Sequence, residues 1–105
     1  EALVRAGLRP IPQFPAHQYR LDLAIVEDEI QLDIEVDGEL YHREWDGSRA
    51  RSDVLRDLRL QALGWTVKRF WVYRLRQDME ACVTEVVELV EQLRERTLKP
   101  VSPGQ

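Results

Sequence analysis

Apolar and polar residues alternate along residues 30–37, the last three polar ones are acids, and the alternation stops at Gly38. In a β-strand, Ile34 and Val36 would point to one face, and Glu35 and Asp37 would point to the other. Two carboxylates would then leave the strand side by side, and they repel each other unless a cation lies between them. The segment therefore predicts a strand with one apolar face and one acidic face, and its composition is typical of a metal site.

A second β-patterned run, residues 19–26, carries a further acid at Asp22. The polar residues 27–29 form a turn between the two runs, which predicts an antiparallel hairpin. We predict that Asp22 lies on the parity opposite to the apolar residues Leu21, Leu23 and Ile25. Three oxygen ligands on adjacent strands would suit Mg²⁺ or Mn²⁺.

Length and composition indicate one globular domain. The chain has 105 residues, of which 44% are hydrophobic and 32% are charged, and no apolar stretch approaches the roughly 20 residues of a membrane span. The one cysteine, Cys82, excludes an internal disulfide and a cysteine-built zinc site, which favours a cytoplasmic protein. We predict a folded domain at residues 1–98 and a disordered tail at residues 99–105. The chain lacks an initiator Met and begins in a helical pattern, so we expect a fragment of a longer protein.

Charge is segregated along the chain although the net charge is only -4. Residues 22–44 contain nine acids and one base, whereas residues 49–76 contain eight bases and two acids. An acidic pocket beside a basic surface fits an enzyme that holds a metal in one and a phosphate backbone on the other. Solvated charge on a helix and a strand is the alternative interpretation.

Local patterns predict the remaining elements. Gly7 and Gly64 are predicted to end helices, and Ser48 and Asp78 to cap the start of helices. The predicted helices are residues 1–8, 48–63 and 78–96, the predicted strands are residues 19–26, 30–37 and 65–73, and residues 10–18 are predicted as an extended connector. The predicted strand at residues 65–73 would be joined to the strand at residues 30–37 through the helix between them, as a βαβ crossover.

Four strings stand in a fixed order along the chain: YRLDLA at 19–24, IEVDGELYH at 34–42, DVLR at 53–56 and LGWTVKRFW at 63–71. Together they resemble the very-short-patch-repair endonuclease-like domains (Vsr-like, DUF559-type) of the PD-(D/E)xK nuclease superfamily, in the branch found at the C-terminus of bacterial superfamily I helicases. The resemblance covers roughly residues 3–93. It implies an α/β, three-layer restriction-endonuclease-like fold with a central mixed β-sheet flanked by helices. It also implies a metal-dependent DNA endonuclease joined covalently to a helicase or another DNA-processing domain.

The resemblance also implies roles for individual residues. Asp22 corresponds to the metal-binding aspartate of the superfamily, and Glu35 to the second acid of its strand motif. Asp37 stands where a lysine completes the usual motif, and the very-short-patch branch has a histidine there. The implied metal shell is Asp22, the Val36 carbonyl and Asp37, with Glu35 as a ligand or a supporting base. His42 would activate water or protonate the leaving group.

The chemistry of phosphodiester cleavage agrees with these roles. A carboxylate-held Mg²⁺ polarises both water and phosphate, so a lysine is dispensable. An unperturbed histidine has a pKa of about 6.5, so His42 could accept or donate a proton near neutral pH.

Basic residues around this centre are candidates for binding nucleic acid. These candidates are Arg20, Arg43, Arg49, Arg56 and Arg69. Asp53 and Gln13 are candidates for a structural or supporting role, since a salt bridge explains Asp53 and Arg56 as well as a phosphate contact does. DNA is the expected partner, RNA is not excluded, and no membrane is expected.

Two other functions remain open at this level. The missing lysine is compatible with a nuclease-like domain that has lost catalysis and only binds DNA. The acidic hairpin is compatible with a protein interaction module that has no nucleic-acid role. For the site itself, Asp22 could face solvent on a half-exposed hairpin, and Glu35 and Asp37 could be solubilising residues on an edge strand.

Overall fold

The computed structural model describes residues 2–38 and 47–98. In chain order the elements are α1 (Ala2–Arg5), β1 (Ile11–Ala16), β2 (Tyr19–Glu27), β3 (Ile30–Asp37), α2 (Gly47–Ala62), β4 (Thr66–Trp71), α3 (Val72–Gln77) and α4 (Met79–Leu98). In this part of the chain, no helix is both long enough and apolar enough to span a membrane. The predicted tail, residues 99–105, lies outside the described residues.

The four strands of the described chain form one mixed sheet in the order β1-β2-β3-β4. The β1–β2 and β2–β3 pairs are antiparallel, which confirms the predicted hairpin. Strands β3 and β4 are parallel neighbours, and α2 connects them, as the βαβ prediction requires. The sheet therefore brings the acidic end of β3 between β2 and β4.

Helices cover both faces of this sheet. On one face, apolar residues of β2, β3 and β4 pack against Cys82, Val86 and Val90 of α4. On the other face, a smaller apolar cluster joins Leu60 of α2 and Trp65 to side chains of β1 and β2. We refer to these as the α4 face and the α2 face. The arrangement confirms the predicted three-layer α/β fold.

Glycine ends α1 and α2 in the same way. Gly7 and Gly64 have φ angles of 91° and 97°, in the left-handed region where a side chain is costly. After Gly7, the Leu8 N–H donates to the Leu3 carbonyl at 3.0 Å, and after Gly64 the Trp65 N–H donates to the Leu60 carbonyl at 2.9 Å. These contacts satisfy carbonyls that the helix ends leave open. The predicted helix stops at both glycines are confirmed.

The predicted connector at residues 10–18 is wrong, because it contains strand β1. Prolines suggested irregular chain, but β1 is an edge strand of the sheet, where a residue without an N–H is tolerated. Pro12 and Pro15 both lie in the paired register, opposite Leu23 and Arg20.

The predicted third strand is too long at its C-terminal end. Val72 and Tyr73 are β-favouring residues, yet they begin α3 instead of extending β4. Asp78 then caps α4 as predicted, with its Oδ1 accepting the Ala81 N–H at 3.0 Å. Helix α2 begins at Gly47, so Ser48 lies inside it and is not the residue before its first turn.

Candidate active site

Strands β2 and β3 stop pairing at the level of two acidic residues. Their antiparallel register runs from Glu27–Ile30 to Leu23–Ile34, so Asp22 and Glu35 would form the next pair. Side chains replace the main-chain pairing there: the Val36 N–H donates to Asp22 Oδ2 at 2.8 Å, and the Asp22 N–H donates to Glu35 Oε2 at 3.4 Å. The structure thus brings the Asp22 and Glu35 carboxylates together at a break in the sheet.

The same break changes the direction in which β2 presents its side chains. Leu21 is fully buried in the α2-face cluster, whereas Leu23 and Ile25 pack with the α4-face cluster. The prediction that these three leucine and isoleucine side chains share one face is therefore wrong. Regular alternation fails because the Asp22 carboxylate, and not a main-chain carbonyl of β2, accepts the Val36 N–H.

Pairing with β1 is interrupted at the same level. The register passes from Pro12–Leu23 to Phe14–Leu21, which leaves Gln13 opposite Asp22 without a ladder pair. Gln13 has a φ of 51°, a conformation that most residues avoid. Its side chain is exposed and donates no hydrogen bond to the acids of the described chain. Gln13 marks the break through its backbone, and its predicted supporting role stays a prediction.

Glu35 is buried and ion-paired. Its side chain is 7% exposed, and Arg56 Nη2 of α2 lies 3.1 Å from its Oε2. The same Nη2 donates to the Arg20 carbonyl on β2 at 3.2 Å. Burial alone would raise the pKa of Glu35, but Asp33, Arg56 and the Asp22 N–H together lower it below the ordinary value. Glu35 is therefore an ionised acid held between two strands and a helix.

Asp33 is a buried acid of this face to which the sequence analysis gave no role. It is fully buried, and neither of its carboxylate oxygens accepts a hydrogen bond from a described residue. Burial, followed by the nearby Glu35, raises the pKa of Asp33 to about 8. The available signal was its position two residues before Glu35 between Leu32 and Ile34, which are both buried on the opposite face.

Asp37 lies in an ion-pair cluster with β4 and α2. Arg69 Nη1 is 3.0 Å from Asp37 Oδ1, while its Nη2 and Nε donate to the two carboxylate oxygens of Asp57 at 2.7 and 2.9 Å. Arg69 was predicted to bind nucleic acid; in the structure it pairs with two acids, and its nucleic-acid role stays a prediction. No role was predicted for Asp57, since nothing in the local pattern of α2 indicates that Arg69 is its partner.

The other candidates are distributed around this centre. Arg20 is exposed next to Asp22, and Val36 lies between Glu35 and Asp37 with its N–H on Asp22. The remaining predicted residues have side chains outside the described part of the structure: His42, Arg43, Arg49 and Asp53. Their roles stay predictions.

The carboxylates of this site are partly suited to binding a hard cation such as Mg²⁺. Among the described residues, no three His, Cys, Asp or Glu side chains are grouped as a metal site. Asp22 and Glu35 nevertheless meet at the strand break, and Mg²⁺ in proteins is often held by one or two carboxylates together with several waters. Asp22 and Glu35, on the two sides of the strand break, are thus the described pair that fits Mg²⁺ or Mn²⁺ best, although Glu35 is ion-paired with Arg56 as Asp37 is with Arg69.

A cavity on the α4 face is unsuited to this chemistry. It has a volume of about 160 Å³ and is lined mainly by apolar side chains, among them Leu23, Ile34, Val36 and Phe70. Nothing in its described lining would bind a cation or a phosphate. The buried acids of the described chain, Asp33 and Glu35, lie instead on the α2 face.

Comparison with known families agrees with this geometry. The family model REase_MTES_1575, which describes a restriction-endonuclease-like domain, matches residues 1–90. No curated protein matches the sequence. The chain belongs to the REase_MTES_1575 family, whose restriction-endonuclease-like character indicates a nuclease-type function.

Proposed function

We propose that this restriction-endonuclease-like domain is a metal-dependent nuclease that hydrolyses DNA phosphodiester bonds. The observation that carries the proposal is the meeting of Asp22 and Glu35 where β2 and β3 separate. Two carboxylates at a sheet break, in a family of this type, provide an anionic centre beside Arg56 and the exposed side chain of Arg20. RNA shares the phosphodiester chemistry and is a possible second substrate.

Asp22 and Glu35 would hold Mg²⁺ or Mn²⁺. The chemistry that such a cation supplies when bound is polarisation of water and neutralisation of charge on the phosphoryl oxygens. Of the protein's own groups, the Val36 N–H orients the Asp22 carboxylate and Arg56 orients Glu35. We further propose that His42 transfers a proton near the site, which is supported by its place in the sequence five residues after Asp37.

We also propose that the domain acts within a larger DNA-processing protein of the helicase type. The support for this proposal is the resemblance of four sequence strings, from YRLDLA to LGWTVKRFW, to domains appended to such helicases. A domain of this kind would receive its DNA strand from the motor to which it is joined.

Asp22→Asn tests the nuclease proposal. Asparagine keeps an oxygen acceptor for the Val36 N–H but removes the negative charge, so the fold is expected to persist while metal-dependent cutting falls at least a hundredfold. The measurement is cleavage of labelled single- and double-stranded DNA in Mg²⁺, Mn²⁺ or EDTA.

The matched control for Asp22→Asn is Glu29→Gln, which neutralises an exposed acid in the turn at the other end of the same hairpin. This control is expected to cut like the wild type. Equal cutting by Asp22→Asn and the wild type would exclude the proposed site.

A DNA-binding domain without catalysis is the second candidate. The observation that favours it is the neutralisation of both strand-motif acids, Glu35 by Arg56 and Asp37 by Arg69, in a chain that lacks the motif lysine. DNA binding that persists without cleavage in any of the three conditions would favour this candidate.

A further inference from the structure

Arg56 contacts the two separated strands with a single nitrogen. Its Nη2 donates to Glu35 Oε2 on β3 at 3.1 Å and to the Arg20 carbonyl on β2 at 3.2 Å. Both N–H groups of Nη2 are thereby used. An arginine side chain has further donors on Nη1 and Nε, in the same plane.

The remaining donors of Arg56 have no acceptor among the described residues. The Arg56 side chain is 20% exposed, and its guanidinium lies 5.5 Å from the centre of the Tyr19 ring. The Nε–H points to the side of Nη2, so the donor that remains for a phosphate oxygen away from Glu35 is Nη1, with two N–H groups of its own. The guanidinium is thus held through Nη2, whereas its outer side, Nη1, has no acceptor among the described residues.

Arg69 shows what a fully engaged arginine looks like in the same sheet. Its Nε and Nη2 bind both oxygens of Asp57, and its Nη1 binds Asp37. All three nitrogens are occupied by carboxylates of the protein. Every guanidinium nitrogen of Arg69 thus donates to a carboxylate of the protein, whereas Arg56 keeps donors that no described residue accepts.

We propose that Arg56 binds a phosphate of the nucleic-acid backbone through Nη1 while its Nη2 positions Glu35. The proposal rests on the nucleic-acid substrate proposed above and assigns one backbone contact to one side chain. A phosphate on the outer side of Arg56 would lie next to the Asp22 and Glu35 carboxylates. Arg56 would therefore align the substrate with the site and hold the site in shape.

The opposing interpretation is that Arg56 serves only to neutralise a buried glutamate. Removing one partner of a buried ion pair is destabilising by itself, so a single Arg56 variant would not separate the two interpretations. The change Arg56→Gln is therefore made both in the wild type and in Glu35→Gln, where no buried carboxylate needs neutralising. The matched charge control is Arg96→Gln, at an exposed position of α4 on the far side of the sheet.

The experiment measures the affinity of each protein for a short fluorescein-labelled DNA duplex and single strand, in EDTA, across a range of salt concentrations. Melting temperatures of all variants are recorded to show that each is folded. Arg56→Gln is expected to weaken binding roughly tenfold in both backgrounds. It is also expected to lower the slope of log affinity against log salt by about one. Arg96→Gln is expected to match the wild type.

Each other outcome has a definite meaning. A loss of affinity that disappears in the Glu35→Gln background would overturn the proposal and leave Arg56 as a neutralising group. Equal losses for Arg56→Gln and Arg96→Gln would also overturn it, because the effect would then be one of general charge. Absence of DNA binding by the wild type would instead refute the proposed function on which this inference rests.

Discussion

The two faces of the sheet differ in what their side chains do. On the α4 face, Leu32, Ile34 and Phe70 pack against an apolar helix surface with almost no exposure. On the α2 face, the apolar cluster is smaller, and the neighbouring residues Asp33 and Glu35 are buried acids. One strand, β3, supplies Leu32 and Ile34 to the first face and Asp33 and Glu35 to the second, because successive side chains point to opposite faces.

This difference teaches how a small domain tolerates buried charge. Burying apolar surface contributes roughly 25 cal/mol per Å², and the α4 face supplies most of that burial in the described chain. The α2 face can then retain carboxylates whose desolvation is unfavourable, with Arg56 and Arg69 offsetting part of the cost. Stability and chemistry are therefore divided between the two sides of one sheet.

Of the variants that compare the two faces, Leu32→Ala is expected to lower the free energy of unfolding the most. Leu32 is fully buried on the α4 face, so its truncation should lower the free energy of unfolding by about 2–5 kcal/mol. Urea denaturation measures the loss. Val54→Ala, at an exposed position of α2, is the control and should change stability by less than about 0.5 kcal/mol. A comparable loss in both variants would show that the α4 face is not the main source of stability.

Asp33→Asn tests the charged side of the same strand. The pKa of Asp33 is raised from 3.8 to about 8, so between about pH 4 and pH 8 the folded protein keeps a proton that the unfolded chain releases. The free energy of unfolding of the wild type should therefore fall as pH rises through this window, on the order of 1 kcal/mol per pH unit.

Asparagine does not titrate, so Asp33→Asn should become more stable relative to the wild type between pH 5 and pH 7. Urea denaturation at these two pH values measures the change. If the two proteins lose stability in parallel over this interval, Asp33 is ionised in the folded state at pH 5 and the α2 face carries one more charge than we infer.

Arg69→Gln should have the smallest effect of the three. It removes the guanidinium that joins β4 to Asp37 and Asp57, groups that are about a quarter to a third exposed, and we expect a loss of about 1 kcal/mol. Thermal unfolding at low and high salt measures it. Arg94→Gln is the matched control, since Arg94 also makes two bonds to one acid, Glu27, but at an exposed position. A larger loss for the control would contradict a structural role for Arg69.

Local signals explain why much of the fold was predictable. Alternation over residues 30–37 predicted β3, Gly64 predicted the end of α2, and Asp78 predicted the start of α4. Each of these signals depends only on neighbours within one helical turn or one strand. Strand β1 was missed because Pro12 and Pro15 signal irregular chain unless the strand is known to lie at an edge. Position in a sheet is a tertiary property, and no local pattern reports it.

The sequence by itself determined the α/β order of the elements, the acidic end of β3 and the choice of Asp22 and Glu35 as candidate acids. Only the tertiary structure decided that β2 and β3 separate at Asp22 and that Arg56 reaches Glu35 across 21 positions of sequence. It also decided that Asp33 is buried with its carboxylate accepting no hydrogen bond from a described residue. Helices and strands follow from periodicity and turn residues, which act over a few positions. Ion pairing and desolvation depend on which surfaces meet in space, and that is fixed when the two helix layers close over the sheet.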